Sequence, residues 1–393
     1  MSTPLTKPTR ACECRRIETT FGTTEPSASG DVERKLAAAR GLMARRGLAA
    51  LVLQGTDGVA WITDGLTNRI EAGNPVSAAW VVVTADAAHV ITTNVELPRL
   101  AAEGGLDAFE LHGVDWFADG FASLAEELAD APASSIGGLG ADVADDVIEL
   151  RLALTESEQA RLAALAVDAT AALEGAVREW TPGELDVEVQ GRVAAALEAA
   201  GAFGACLIVG GDDRVERFRH PLACARPVQR LLMAVVVAER HGLHAAATRF
   251  ASAGRLTGSV GAARRAAAVV ERAVLDASQA GATYGEALTA LADGYADVGR
   301  PAAWREHYQG GPIGYRQREF EIVPTQVASR WFGAPISPGT ALAWNPSVSG
   351  GGKCEDTYLV EEDGLRRLTA SEDWPVEEDG RPAVLDLVSG EAA

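Results

Sequence analysis

The chain has 393 residues, enough for two or three domains with buried cores. It carries 35 Lys and Arg against 55 Asp and Glu, a formal charge of −20, which is unfavourable for neutralising phosphates or an anionic membrane surface. We therefore expect neither nucleic acid nor a membrane as a partner. No apolar run is long enough to span a bilayer and the polar first thirty residues lack a secretory signal, which predicts a cytoplasmic protein.

Residues 1–30 are rich in Ser, Thr, Pro and Gly and show little apolar periodicity, which predicts a mobile tail. The tail contains Cys12 and Cys14, whose one-residue separation does not match the spacing of a zinc knuckle. The chain has five cysteines, scattered and odd in number. This pattern indicates reduced thiols rather than a disulfide framework.

Residues 31–145 are predicted to form a compact α/β domain. From Val32, apolar residues recur at helical spacing as far as the stop glycine Gly47, and a short apolar strand follows at 49–55. By the same criteria, two further strands are predicted at 78–84 and 89–94, and two helical segments at 97–105 and 121–129. The alternation of helix and strand is typical of an α/β unit.

Residues 146–393 are richer in helices and contain a repeated arrangement. Thr155 and Glu158 form a capping box at the start of a long helix, and Thr283 and Glu286 repeat it about a hundred residues later. A second helix is predicted from Thr181 to Gly201, and the long helix at 262–280 precedes the second box. Strand-like segments follow each helix pair, at 206–211, 233–238, 320–324, 341–346 and 356–362. Two such units in tandem imply an internal pseudo-twofold, with a pocket between the two sheets.

Five stretches and the domain order resemble the creatinase, aminopeptidase P and prolidase family over about residues 32–375. The stretches are IELRLALTESE (148–158), RFRHPLACARP (217–227), GLHAAATRF (242–250), HYQGGPIGYRQRE (307–319) and SPGTALAWNPSVSGGGKCEDTYLVEEDG (337–364). The resemblance implies a creatinase-like N-terminal α/β domain followed by an α+β pita-bread domain with an internal pseudo-twofold.

The metal ligands of the family's peptidases are largely missing. Those enzymes hold two divalent metals with two Asp, one His and two Glu. At the matching positions this chain has Val235, Ala246, Gly311 and Asn345, and only Glu355 keeps a carboxylate. One carboxylate and one amide cannot replace that ligand set, so we expect no metal and no other cofactor.

The resemblance points instead to metal-free chemistry of the creatinase type. His220 matches a family His that faces the substrate, and His307 matches its companion near the scissile bond. An imidazole that titrates near neutral pH can move protons, and an Arg can bind a carboxylate by a forked pair of hydrogen bonds. The expected catalytic residues are His220, His307, Glu355 and Glu319, and the expected substrate-binding residues are Arg249, Arg318, Tyr308, Asn345 and Arg69. Structural ion pairs and core packing are the alternative roles for these side chains.

Three functions stay open from the sequence. The first is a metal-independent enzyme that hydrolyses or eliminates at a carbon–nitrogen bond of a small amino-acid-derived, amidine or amide substrate. The second is a non-catalytic pita-bread binding module, a pseudo-peptidase, and the third is a metal-dependent Xaa-Pro aminopeptidase. The resemblance also implies a homodimer in which the loop at 64–75 reaches the partner's pocket through Arg69, with Asn68 and Asn74 beside it.

Overall fold

The computed structural model describes residues 30–71, 73–256 and 258–388. The predicted tail and its two cysteines lie outside these residues, except for Gly30, which begins the first helix. No helix within the described ranges is long and apolar enough to cross a bilayer.

The N-terminal domain is a five-stranded sheet with helices packed against it. Its helices are α1 (Gly30–Arg46), α2 (Thr56–Ile62), α3 (Leu97–Glu103) and α4 (Phe121–Ala129). Its strands are β1 (Ala50–Gly55), β2 (Val76–Val83), β3 (Ala88–Thr93), β4 (Glu110–Val114) and β5 (Ile136–Gly137). They are ordered β4-β3-β2-β1-β5, with the β3/β4 and β1/β5 pairs parallel and the others antiparallel. The helices and strands predicted for this domain are confirmed.

Helix α5 (Ala144–Arg151) leads from the first domain into the second. The helices of the second domain are α6 (Glu156–Arg178), α7 (Asp186–Ala199), α8 (Asp213–Arg217), α9 (Gly258–Asp276) and α10 (Tyr284–Asp297). Its first sheet, ordered β15-β8-β7-β6, contains β6 (Phe203–Gly211), β7 (Leu231–Arg240), β8 (Leu243–Ser252) and β15 (Val384–Asp386). Its second sheet, ordered β14-β13-β10-β9, contains β9 (Gly310–Ile313), β10 (Ala341–Trp344), β13 (Tyr358–Glu361) and β14 (Gly364–Arg367). Strands β11 (Ser347–Val348) and β12 (Gly352–Lys353) form a short hairpin beside them.

The repeat predicted from the sequence is present, because a helix pair precedes each sheet. Both predicted capping boxes are confirmed. Thr155 Oγ1 accepts a hydrogen bond from the Glu158 amide at 3.3 Å, and Glu158 Oε2 accepts one from the Thr155 amide at 2.8 Å. Thr283 and Glu286 make the same pair of bonds at 3.2 and 2.7 Å.

Two predicted elements are wrong in detail. Helix α7 begins at Asp186 rather than near Thr181, because Gly183 has a φ of +98°, which a helix cannot contain. The strand predicted at 320–324 is absent, and Phe320 instead stacks on Trp331 with ring centroids 4.2 Å apart. The position beside β10 is taken by β9, whose sequence GGPI has few strand-forming residues.

A seam of hydrogen bonds joins the two sheets of the second domain. The Thr248 amide on β8 donates to the Glu355 carbonyl at 2.9 Å. The Ala246 amide donates to Thr357 Oγ1 at 2.8 Å, and that hydroxyl donates back to the Ala246 carbonyl at 2.9 Å. The segment between β12 and β13 is therefore fixed against β8, and side chains from both halves of the domain meet there.

Candidate active site

Side chains from separate segments of the chain meet at this seam. His220 lies on the loop between α8 and β7, and His307 follows a short 3-10 turn and precedes β9. Asn345 directly follows β10, Lys353 ends β12, and Glu355 lies two residues further on. The site thus draws on both repeats of the domain.

The two histidines contact each other. Their ring centroids are 4.9 Å apart and the rings are inclined by 62°. The His220 side chain is exposed, whereas Nε2 of His307 is buried and has no hydrogen-bond partner among the described residues. Oδ1 of Asn345 is also buried, and it too has no hydrogen-bond partner among the described residues. Buried polar atoms are normally hydrogen-bonded, so these two atoms fit a site that a ligand or water completes.

Glu355 is the residue that most of the other polar side chains of the site contact. Its carboxylate accepts hydrogen bonds from Thr248 Oγ1 at 3.0 Å, Arg318 Nη2 at 3.2 Å and Asn345 Nδ2 at 3.3 Å, and Nζ of Lys353 lies 3.4 Å away. Burial by itself would raise the pKa of Glu355, but Lys353 and Arg318 outweigh it and hold that pKa below its ordinary value. The carboxylate is therefore ionised at neutral pH.

The histidines are held in their neutral form. Burial, followed by the charge of Lys353 and the neighbouring His220, lowers the pKa of His307 to about 2. Burial and Lys353 also lower the pKa of His220, against the opposing pull of Glu355. A neutral imidazole can accept a proton, so His220, the exposed member of the pair, is suited to act as a base.

Positive charge predominates around the histidines. Nη2 of Arg219 is 2.7 Å from Glu306 Oε2, and Arg318 and Lys353 both contact Glu355. Three cations thus face two carboxylates, which favours an anionic ligand. A cavity of about 20 Å³, room for about one water, is lined by Arg219 and Lys353 beside the site.

Comparisons with known proteins agree with this architecture. Residues 35–176 match the family model of the Creatinase/Prolidase N-terminal domain. The dipeptidase PepE from Mycobacterium ulcerans has a similar structure, with a TM-score of 0.71 and 21% sequence identity over 88% of this chain and 97% of that one. The prolidase from Pyrococcus horikoshii OT3 has a TM-score of 0.68 and 16% identity over 86% of this chain and 99% of that one.

The chain has the creatinase and prolidase fold. Its second domain is the pita-bread domain of that fold, as the sequence predicted. A further similar structure is the Xaa-Pro dipeptidase from Bacillus anthracis, with a TM-score of 0.66 and 18% identity over 86% of this chain and 98% of that one. No curated protein matches the chain by sequence.

The seam of the pita-bread domain does not fit a two-metal centre. Val235 on β7 and Ala246 on β8 are 3% and 0% exposed and pack in hydrophobic clusters, and Gly311 offers no side chain. The oxygens of Glu355 are already bonded, and a divalent cation beside them would face the charge of Lys353. Within the described ranges, no group of three side chains able to hold a metal lies at the seam.

Arg249 was predicted to bind substrate, and the structure corrects this. Its guanidinium is buried and donates to Glu174 at 2.7 Å, to Asp356 at 2.9 Å and to the Thr369 carbonyl at 2.7 Å. The ion pairs hold α6 and the segment before β13 against β8. Arg249 therefore has a structural role behind the seam.

Glu319 and Arg69 also lie apart from the histidines. Glu319 is buried and accepts two hydrogen bonds from Arg151, at 2.9 and 2.7 Å, so it bonds away from its neighbour Arg318. Nη1 of Arg69 is 2.7 Å from Oε2 of Glu239 in the same chain, and its guanidinium covers the Phe203 ring at 5.4 Å. These contacts leave Glu319 outside the cluster of His220, His307 and Glu355 and engage Arg69 within its own chain.

The remaining predicted residues are close together. Arg318 and Asn345 bond Glu355, and Tyr308 is 68% exposed with its ring 6.3 Å from that of His307, at the rim. Lys353 was not predicted as a site residue. One signal could have found it, since residues two apart in an extended segment, such as Lys353 and Glu355, project to the same side.

Proposed function

We propose that the protein is a metal-independent, cytoplasmic hydrolase of creatinase type that acts on a carbon–nitrogen bond of a small amide or amidine bearing a carboxylate. The contact between His220 and His307, next to the ionised Glu355, is the observation that supports it. The neutral state of both imidazoles and the lack of ligating side chains at Val235, Ala246 and Gly311 agree with a mechanism that uses protein side chains alone.

In the proposed reaction, His220 takes a proton from a water molecule that attacks the amide or amidine carbon. The resulting imidazolium is stabilised by the negative charge of Glu355, which already opposes the lowering of the His220 pKa. His220 then returns the proton to the departing nitrogen as the carbon–nitrogen bond breaks. With a pKa of about 2, His307 stays neutral and positions the substrate through its unpartnered Nε2.

The surplus of positive charge is proposed to select substrates with a carboxylate. Arg318 is the best placed residue for this, because its side chain is 20% exposed and only part of its donors are used by Glu355 and the Gln317 carbonyl. A guanidinium binds a carboxylate through two parallel hydrogen bonds. An amino-acid-derived substrate carries such a group.

A panel of N-acyl amino acids, amidino acids and amino-acid amides, assayed for amine or ammonia release with excess chelator, tests this proposal. We expect turnover that the chelator does not affect, and a loss of about a hundredfold or more in kcat for His220→Ala. His241→Asn, which changes a histidine bonded to the Gly65 carbonyl outside the seam, should keep wild-type kcat. Full activity in His220→Ala, or loss of activity on chelation, would contradict the mechanism.

A non-catalytic binding module is the second candidate, and the rim of the site favours it. Phe218, Leu222 and Tyr308 are 48%, 60% and 68% exposed around the histidines, a surface that a peptide could cover. In that case the panel gives no turnover, and peptide binding is weakened by Tyr308→Ala. The homodimer implied by the family resemblance stays a prediction, although Arg69 is no longer the residue expected to reach the partner.

A further inference from the structure

Two histidines and a glutamate meet on one face of the N-terminal sheet, far along the chain from the seam. Strands β3 and β4 are parallel, with His89 paired to Glu110 and Ile91 paired to His112. Residues two apart in a strand share a face, so His89, Glu110 and His112 all project to the same side. Ile91, on that face, packs in the cluster that includes Ala125 of α4.

The distances between their side-chain atoms match a metal-binding group. Nδ1 of His89 is 3.2 Å from Nε2 of His112 and 3.3 Å from Oε2 of Glu110. One ligand atom from each residue lies within 4.8 Å of the other two. In a tetrahedral zinc site with bonds of 2.0–2.1 Å, neighbouring ligand atoms are about 3.3 Å apart.

Hydrogen bonds satisfy this arrangement only in part. A ring nitrogen carries either one proton or one lone pair, yet Nδ1 of His89 faces both an imidazole nitrogen and a carboxylate oxygen. If Nδ1 is protonated, it can donate fully to only one of them. If it is not, its lone pair faces the negative carboxylate of Glu110. A cation between the three atoms would bind all of them favourably.

We propose that His89, Glu110 and His112 bind one Zn²⁺ ion, with water as the fourth ligand. Imidazole and carboxylate ligands suit zinc better than Mg²⁺ or Ca²⁺, which prefer oxygen alone. The side chains of His89 and Glu110 are 7% and 68% exposed, so the site is fixed on one side and open to water on the other. The site is independent of the proposed hydrolase chemistry, which takes place in the second domain.

Titration of the full-length, chelator-stripped protein with Zn²⁺, in competition with a chromophoric chelator, tests the proposal. We expect one Zn²⁺ per chain at micromolar or lower free zinc, no stoichiometric binding in His112→Gln, and affinity at least about tenfold lower in Glu110→Gln. Glu110 is exposed, so its replacement does not endanger the fold. Circular dichroism and thermal unfolding check that His112→Gln is folded.

Matched controls separate this site from other histidine and cysteine side chains that could take up zinc. One control, His220→Gln, removes a histidine of the seam. The other, the double variant Cys12→Ser with Cys14→Ser, removes two thiols that are close in the sequence. Both proteins should keep one Zn²⁺ per chain. Zinc binding that survives in His112→Gln, that disappears in either control, or that is absent from the wild type would overturn the proposal. In the Co²⁺-loaded protein, we expect no thiolate-to-metal charge-transfer band.

Discussion

Replacing Arg249 by methionine is expected to lower the free energy of unfolding by about 3–5 kcal/mol. The change leaves Glu174 and Asp356 buried without the guanidinium that now lies 2.7 and 2.9 Å from them. The side chains of both carboxylates are about as buried as that of Arg249, so water cannot replace the lost cation. Urea denaturation followed by circular dichroism measures the loss.

The matched control is Arg366→Met. Arg366 forms an ion pair with Glu361, and the two side chains are 49% and 42% exposed. Exposed pairs contribute about 0–1 kcal/mol, so this variant should stay close to the wild type. Equal, small losses in the two variants would show that Arg249 is not the buried structural cation described above.

Replacing Lys353 by methionine is expected to raise the pKa of His307 by about one pH unit or more. After burial, the charge of Lys353 is the largest cause that holds this pKa near 2. The pKa of His307 should nevertheless remain below its ordinary value, because burial is unchanged. NMR titration of the histidine ring signals measures the shift.

Arg217→Met is the control for this titration. Arg217 lies three residues before His220, is exposed, and pairs with Asp213 on α8. The pKa of His307 should not change in this variant. An unchanged His307 titration in folded Lys353→Met, or equal changes in both variants, would contradict the electrostatic account of the site.

Most of the fold could be predicted from local patterns. Capping boxes at Thr155 and Thr283 marked the starts of α6 and α10, and apolar runs marked β6, β7 and β10. The failures had local causes as well. Gly183 redirects the chain before α7, and β9 pairs through the backbone of a segment rich in glycine and proline, so it carries no apolar alternation.

The site was predictable only in part. The resemblance to family motifs gave His220, His307 and Glu355, which the structure brings together. The motifs did not show which way each side chain points. Arg249 and Glu319 were therefore predicted as site residues, although both bond to buried partners elsewhere. The contribution of each charge depends on burial and on distances across the seam, and sequence patterns contain neither.

Diffraction from crystals soaked in Mn²⁺, with anomalous maps at the seam, tests most directly whether the seam of this pita-bread domain binds metal ions. We expect no anomalous peak within coordination distance of Glu355, because Lys353 and Arg318 already neutralise it and Val235, Ala246 and Gly311 supply no ligand. A peak at His89, Glu110 and His112 would leave that expectation intact. Two peaks beside Glu355, separated by roughly 3.5–4 Å, would contradict it and favour a metal-dependent Xaa-Pro aminopeptidase instead.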